Sequence, residues 1–194
     1  AVRHAEAGRQ VVRVNAARLQ ARLSALAGVG RDPRGGVSRL AYSDADRDAR
    51  ALVMEWMREA SLDPVVDAAA NIYGRRAGSE AELAPLLFGS HVDSVPNGGD
   101  FDGPLGILAA LEVAQTLADA GVGLRHPIQV VNWSNEEGGL YGSRAVSGVL
   151  PARELNNVAS SGRTVADGPI ADFDRQIIVD YMTTGTTGRV AKEA

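Results

Sequence analysis

The sequence predicts an α/β fold, a layered sheet with helices on both faces. Three observations carry this. Helical apolar stripes alternate along the chain with short apolar runs, those runs have strand length, and glycine or proline marks most of the junctions. Asn15 to Ala27 reads as the first helix, because Leu19, Leu23 and Leu26 recur on one face and Gly28 and Gly30 follow. A polar, glycine-rich loop runs on through Gly35 and Gly36. Ser43 is placed to cap the next helix, in which Ala45, Ala49, Leu52, Val53, Trp56, Met57 and Ala60 form a stripe at helical spacing. Trp56 and Met57 are read as core, and Asp63-Pro64 closes the helix. Val65-Val66 and Asn71-Ile72-Tyr73 read as short strands. Pro85-Leu86-Leu87-Phe88 leads into Gly89-Ser90-His91, the pattern of a buried strand whose C-terminal end meets a site. Pro104 to Ala120 is helical, with Leu108, Leu111 and Leu117 among its apolar positions, and Gly121 and Gly123 stop it. Ile128 to Trp133 is a further buried strand. Beyond Gly168 the pattern loosens: Ile177-Ile178-Val179 has strand character, and Thr183 to Gly188 reads as a loose tail.

At 194 residues, 45% hydrophobic and 23% charged, the chain is long enough for one domain with a sizeable core. A net charge of −4 gives no electrostatic reason to expect nucleic acid or an anionic membrane as partner. The absence of cysteine excludes disulfides and thiolate metal sites. The chain opens Ala1-Val2-Arg3-His4 with no apolar leader core, and no run approaches a membrane span, so a cytoplasmic location is expected.

Two motifs carry chemistry. The first is His91-Val92-Asp93-Ser94-Val95-Pro96-Asn97-Gly98-Gly99-Asp100-Phe101-Asp102-Gly103. A histidine ending a buried strand lies in the crevice where open α/β sheets place ligands. If the backbone stays extended, Asp93 lies on the same side as His91 and can orient its ring. Gly98, Gly99 and Gly103 permit turns that would bring Asp102 back toward His91. The second motif is Asn132-Trp133-Ser134-Asn135-Glu136-Glu137-Gly138-Gly139. Adjacent carboxylates at a strand end are expected to diverge. One would hold a cation while the other faces substrate and water, the division that metal-assisted hydrolysis requires. One histidine with several carboxylates suits zinc, manganese or cobalt, and a carboxylate can bridge two such ions.

In this order the two motifs resemble the metal-dependent amidohydrolases of the M20 superfamily. The likeness is closest to the branch of N-carbamoyl-L-amino-acid hydrolases, allantoate amidohydrolases and β-ureidopropionases. It rests on Gly89 to Gly99, on Phe101-Asp102-Gly103-Pro104-Leu105-Gly106, on Asn135-Glu136-Glu137-Gly138-Gly139, and on Tyr141-Gly142-Ser143-Arg144-Ala145-Val146-Ser147-Gly148. The resemblance implies the three-layer αβα sheet of the M20 catalytic domain, here truncated and without the lid and dimerisation domain. Residues 14–168 would be the N-terminal part of that domain and 169–194 a divergent tail. It implies hydrolysis of linear amide or ureido C–N bonds in N-carbamoyl amino acids, allantoate or ureidopropionate, with two divalent ions drawn from zinc, manganese, cobalt and nickel. His91 would bind one metal, Asp102 would bridge both and Glu137 would bind the second. Glu136 would be the general base for the attacking water and would later protonate the leaving nitrogen. Asp93 would orient His91, and the Asp102-Gly103 peptide is a candidate for the cis form. The family is homodimeric through a domain absent here, and its partner is a small ureido or N-carbamoyl substrate.

The sequence also departs from that family. It has neither the His-x-Glu-Gln-Gly segment nor the C-terminal histidine that complete the two metals' ligand sets. The other histidines are His4, near the start, and His126, which precedes the strand leading to Glu136 and belongs at the sheet's opposite edge. Weak metal binding and little turnover by this chain alone are therefore expected. A catalytically silent α/β fragment, and an N-acyl amino-acid or dipeptide hydrolase of the same superfamily, are the alternative readings.

Overall fold

The computed structural model describes residues 11–164; His4, the 177–179 segment and the tail from 169 onward lie outside them. The first helix, α1 (Ala16–Gly28), is capped by Asn15, whose side chain accepts the Arg18 amide. The second, α2 (Asp44–Glu59), is capped by Ser43, and the Asp46 carboxylate reaches back to the Tyr42 amide in a variant of the capping box. The chain then forms β1 (Asp63–Val66), β2 (Ile72–Arg76), β3 (Leu86–His91), α3 (Pro104–Asp119) and β4 (Ile128–Trp133). A short helix α4 (Tyr141–Val146) and a 3-10 turn (Ala152–Asn156) follow. Helix α2 stops at Glu59, short of Asp63-Pro64, because Ser61 turns left-handed at φ 57°. Pro64 itself falls inside β1, which tolerates it as an edge strand.

The four strands form one mixed sheet in the order β1-β2-β4-β3. β1 and β2 pair antiparallel, as do β2 and β4, while β3 and β4 run parallel. Helix α3 is the crossover that parallel pairing demands. The register sets His91 opposite Trp133 and Ile72 opposite Asn132, so the ends of β3 and β4 and the start of β2 share one rim.

The core lies between this sheet and the helices. Leu26, Val53, Met57, Ile72, Ile107, Leu108, Leu111 and Val130 are fully buried in one cluster, which Trp56 joins as expected. Helix α2 packs on β1 and β2, α3 on β3 and β4, and α1 on α3. The α/β class stands, and the three long helices share a single core. β3 departs from the reading of a wholly buried strand. Among the described residues it is the outer strand, and Leu86 and Leu87 are 48% and 47% exposed, since no described neighbour covers them on that side. Among the described residues, no helix is long and apolar enough to cross a membrane.

Candidate metal centre

The rim where β3 and β4 end gathers most of the residues singled out by the sequence. Ligand atoms of His91, Glu136 and Glu137 lie within 4.8 Å of one another. His91 is buried, and Glu136 and Glu137 are half-buried. The Nε2 of His91 faces Glu136 Oε2 at 3.5 Å. Its Nδ1 lies 2.9 Å from the backbone carbonyl of Asp93. A carbonyl oxygen only accepts, so Nδ1 carries the proton and Nε2 is the nitrogen directed at the carboxylates.

Asp93 does more than orient the ring. Its carboxylate stands 3.6 Å from His91 Nδ1 and accepts the backbone amides of Glu136, at 3.3 Å, and Glu137, at 3.1 Å. One side chain thus ties the histidine to the acidic turn. Burial alone would lower the pKa of His91; hydrogen bonding to Asp93 and the charges of Asp93 and Glu136 outweigh it and raise it to about 9. Glu137 is pushed up, first by burial and then by the carboxylates of Asp102, Glu136 and Asp93, against the opposing effect of His91. Three carboxylates and a histidine crowded this way form a field that a divalent cation would relieve.

The carboxylates do not diverge as expected. β4 ends at Trp133, and residues 134–139 form bends and turns with Asn135 at φ 48°, so the alternation of an extended strand does not reach Glu136 and Glu137. Both carboxylates therefore join the group around His91.

Asp102 stands apart from that group. It is exposed, in the turn leading into α3, although its charge is felt at Glu137. The Asp102-Gly103 peptide is trans, contrary to the cis form expected; the chain reverses instead at Gly103, where φ is 80°. A Cβ there would lie 2.5 Å from His91 Cε1 and 2.7 Å from its Nδ1. Gly103 therefore answers two needs, a left-handed turn and close approach to the imidazole. Pro104 then opens α3 at a position where its missing amide costs nothing.

His126 lies at the opposite edge of the sheet, as the sequence indicated. It is half-buried and its Nδ1 meets the Ala84 carbonyl at 2.8 Å.

Sequence reasoning passed over Arg39. It is only 1% exposed, its Nε donates to the Val92 carbonyl between His91 and Asp93, and its Nη1 donates to the carbonyls of Leu26 and Val29. Burial pulls its pKa down, countered by the charges of Asp46, Asp93 and Asp100. The backbone of Arg39 also pairs with Ser94, whose hydroxyl reaches Val37. Farther along, Val37 and Gly98 exchange backbone hydrogen bonds, Asn97 accepts the Gly36 amide, and Arg31 pairs with Asp100. The loop after α1, read as a plain connection, thus clamps the segment that carries Asp93 to Asp102. A basic residue within that loop was the only signal available.

A parallel pair of strands that presents one imidazole and adjacent carboxylates at its C-terminal rim defines an α/β site suited to a divalent cation. Comparison with known proteins agrees. Residues 71–161 match the family model described as Peptidase family M28. The N-carbamoyl-L-amino acid amidohydrolase of Geobacillus stearothermophilus is 46% identical over 155 residues, which are 77% of this chain and 38% of that one. Allantoate deiminase 2 of Glycine max is 37% identical over 156 residues, 77% of this chain and 31% of that protein. The crystal structure of a hydantoinase/carbamoylase family amidase from Burkholderia ambifaria matches with a TM-score of 0.76 at 43% identity, covering 80% of this chain and 40% of that one. Over the part it shares with them, the chain is similar to the hydantoinase/carbamoylase amidohydrolases. It spans about two fifths of the length of the first of these relatives and of the solved structure.

Proposed function

We propose that this chain carries the cation- and base-bearing part of a hydrolase of linear amide or ureido C–N bonds, acting on N-carbamoyl amino acids, allantoate or ureidopropionate. The convergence of His91, Glu136 and Glu137 on one rim carries this reading, and the names of the relatives supply the substrate class. In this reading residues 14–168 form the catalytic-domain portion. His91, through Nε2, and Glu137 hold a divalent ion, with Asp102 contributing from the turn before α3. The nitrogen and oxygen donors fit zinc, manganese, cobalt or nickel. A bound cation of this kind polarises the substrate carbonyl and makes water more acidic.

The chain's own groups account for the proton traffic. Glu136 removes a proton from water as its oxygen adds to the carbonyl carbon. The same carboxyl then delivers that proton to the nitrogen as the C–N bond breaks. Asp93 keeps His91 and the two glutamates in register during both steps, through its bonds to the Glu136 and Glu137 amides.

A second reading, cation binding without turnover, is favoured by the donor count: His91 is the only histidine in the group found among the described residues. Metal quantification on the purified chain, combined with ammonia release from N-carbamoyl amino acids and allantoate, separates the two. Ammonia release that Glu136→Gln abolishes, with the cation content retained, establishes the hydrolase. Cation uptake with no ammonia release favours the second reading. A chain that takes up none of the four cations defeats both.

A further inference from the structure

The acidic turn that carries Glu136 and Glu137 is held at its tip by Asp93. Its base is closed from a third part of the chain. Ser134 follows β4 directly, and Gly142 lies in the first turn of α4, so these residues are the entrance and exit of the turn. The Gly142 amide donates to the Ser134 carbonyl at 2.9 Å. Asn71, the residue before β2, spans this closure and is fully buried. Its Oδ1 accepts the Ser134 amide at 3.0 Å, while its Nδ2 donates to the Gly142 carbonyl at 3.1 Å and to Asp67 Oδ2 at 2.9 Å. Its backbone amide donates to Asp67 Oδ1 at 2.8 Å.

The chemistry demands an amide at this place. The side chain must accept from one backbone amide and donate to a carbonyl and a carboxylate at once, which neither a carboxylate nor a hydroxyl does in this geometry. The fit is also tight. A Cβ at position 142 would sit 2.1 Å from Asn71 Oδ1, so the glycine is what lets the amide reach both ends of the turn. The antiparallel pairing of β2 with β4 explains why a residue so far back in the chain can do this, since it sets Ile72 opposite Asn132 at the rim.

We propose that Asn71 is a positioning residue for the metal centre. It fixes the base of the acidic turn so that the Glu136 and Glu137 carboxylates face His91, and it thereby helps to set the affinity for the divalent ion. It touches neither cation nor substrate. The inference rests on the reading of the His91, Glu136 and Glu137 group as that centre.

The test uses the whole chain and Asn71→Asp, which keeps the shape, removes both donors and sets a second carboxylate against Asp67. Residue-resolved hydrogen exchange is measured without metal, and zinc and manganese are titrated in parallel. The expected result is a local one. Exchange of the Ser134, Glu136, Glu137 and Gly142 amides quickens at least ~10-fold, while Val130 and Val131 in β4 stay within about twofold. Zinc affinity falls ~10–100-fold, the range typical of lost support for a ligand. Should Asn71→Asp fail to fold, Gly142→Ala pries the same clamp open without adding charge and should give the same pattern. Exchange that quickens evenly across the sheet overturns the proposal, because Asn71 then holds the fold and not the turn. Unchanged Glu136 and Glu137 amides with unchanged zinc affinity overturn it as well. A wild-type chain that takes up no cation defeats the metal reading alone, and the exchange pattern then still decides whether Asn71 holds the turn.

Discussion

Single residues settle where the imidazole of His91 points. Asp93 takes its Nδ1 through a backbone carbonyl, and Gly103 leaves the room its ring occupies. Gly103→Ala would force a Cβ into both the ring and a left-handed turn. It should cost about 1–3 kcal/mol of stability, read as a lower thermal midpoint, and weaken zinc binding by displacing the imidazole. A variant with wild-type affinity would show that the ring has room to move. His91, Asp93, Glu136 and Glu137 were legible because chemistry at a rim requires polar residues just past apolar strands, and such breaks stand out in a sequence. Arg39 and Asn71 were not. Their work lies in hydrogen bonds to backbone groups far away in the chain, 53 residues for Arg39 with Val92 and 63 for Asn71 with Ser134, and local pattern carries no trace of those partners. Asp102 was legible as part of a motif, but its turn holds it outside the group around His91.

Helices and strands followed their periodicity closely. The predicted span of α1 differs from the observed one by a residue at each end, and α3 ends one residue early. The burial of Trp56 and Met57 followed from the stripe on α2. What periodicity misses is how helices are fastened. Glu112, on the buried side of α3, accepts from the Asn15 amide at 2.6 Å and from Arg18 Nε at 2.7 Å, fixing the start of α1. At the start of α2, Asp46 lies buried with its pKa raised from 3.8 to about 6, first by burial, against the charges of Arg50 and Arg39 and a hydrogen bond from Tyr42. A carboxyl whose pKa is higher folded than unfolded binds its proton more tightly in the native state. Its contribution is therefore most favourable below the unfolded value, declines as pH rises toward about 6, and is constant above that. Asp46→Asn keeps an acceptor for the Tyr42 amide and does not titrate. Its stability relative to wild type should improve by about 2–3 kcal/mol between pH 4 and pH 7, as read by urea denaturation at each pH. A difference independent of pH would place the Asp46 titration elsewhere.

For the molecule as a whole, the open flank of the sheet stands out. β3 is an outer strand with Leu86 and Leu87 about half exposed, and Phe101, Leu105 and Val113 add apolar surface on the segment and helix that follow it. An apolar edge left uncovered by the described residues invites pairing with another copy. Sedimentation velocity should show association that grows with concentration, and Leu87→Lys should suppress it without altering the circular dichroism spectrum. A monomer at all concentrations would mean the flank is self-limiting. The sequence signalled a strand there but not its outer place, because apolar content is the same whether a neighbour exists or not. The order of strands is set by which pairs close their hydrogen bonds, and that is a property of the whole chain.

The parallel pairing of β3 with β4 has a consequence for how the chain folds. Asp93 and the amide of Glu136 are 43 residues apart, and the whole of α3 intervenes. No local segment of the chain can assemble the site, so the unfolded ensemble holds no preformed cage and pays the entropy of closing that long loop before any donor meets another. A cation that prefers the assembled rim draws the population toward the native state by mass action, with each increase in its free concentration adding stability. An ion bound at this rim would in that sense be a ligand of the fold itself.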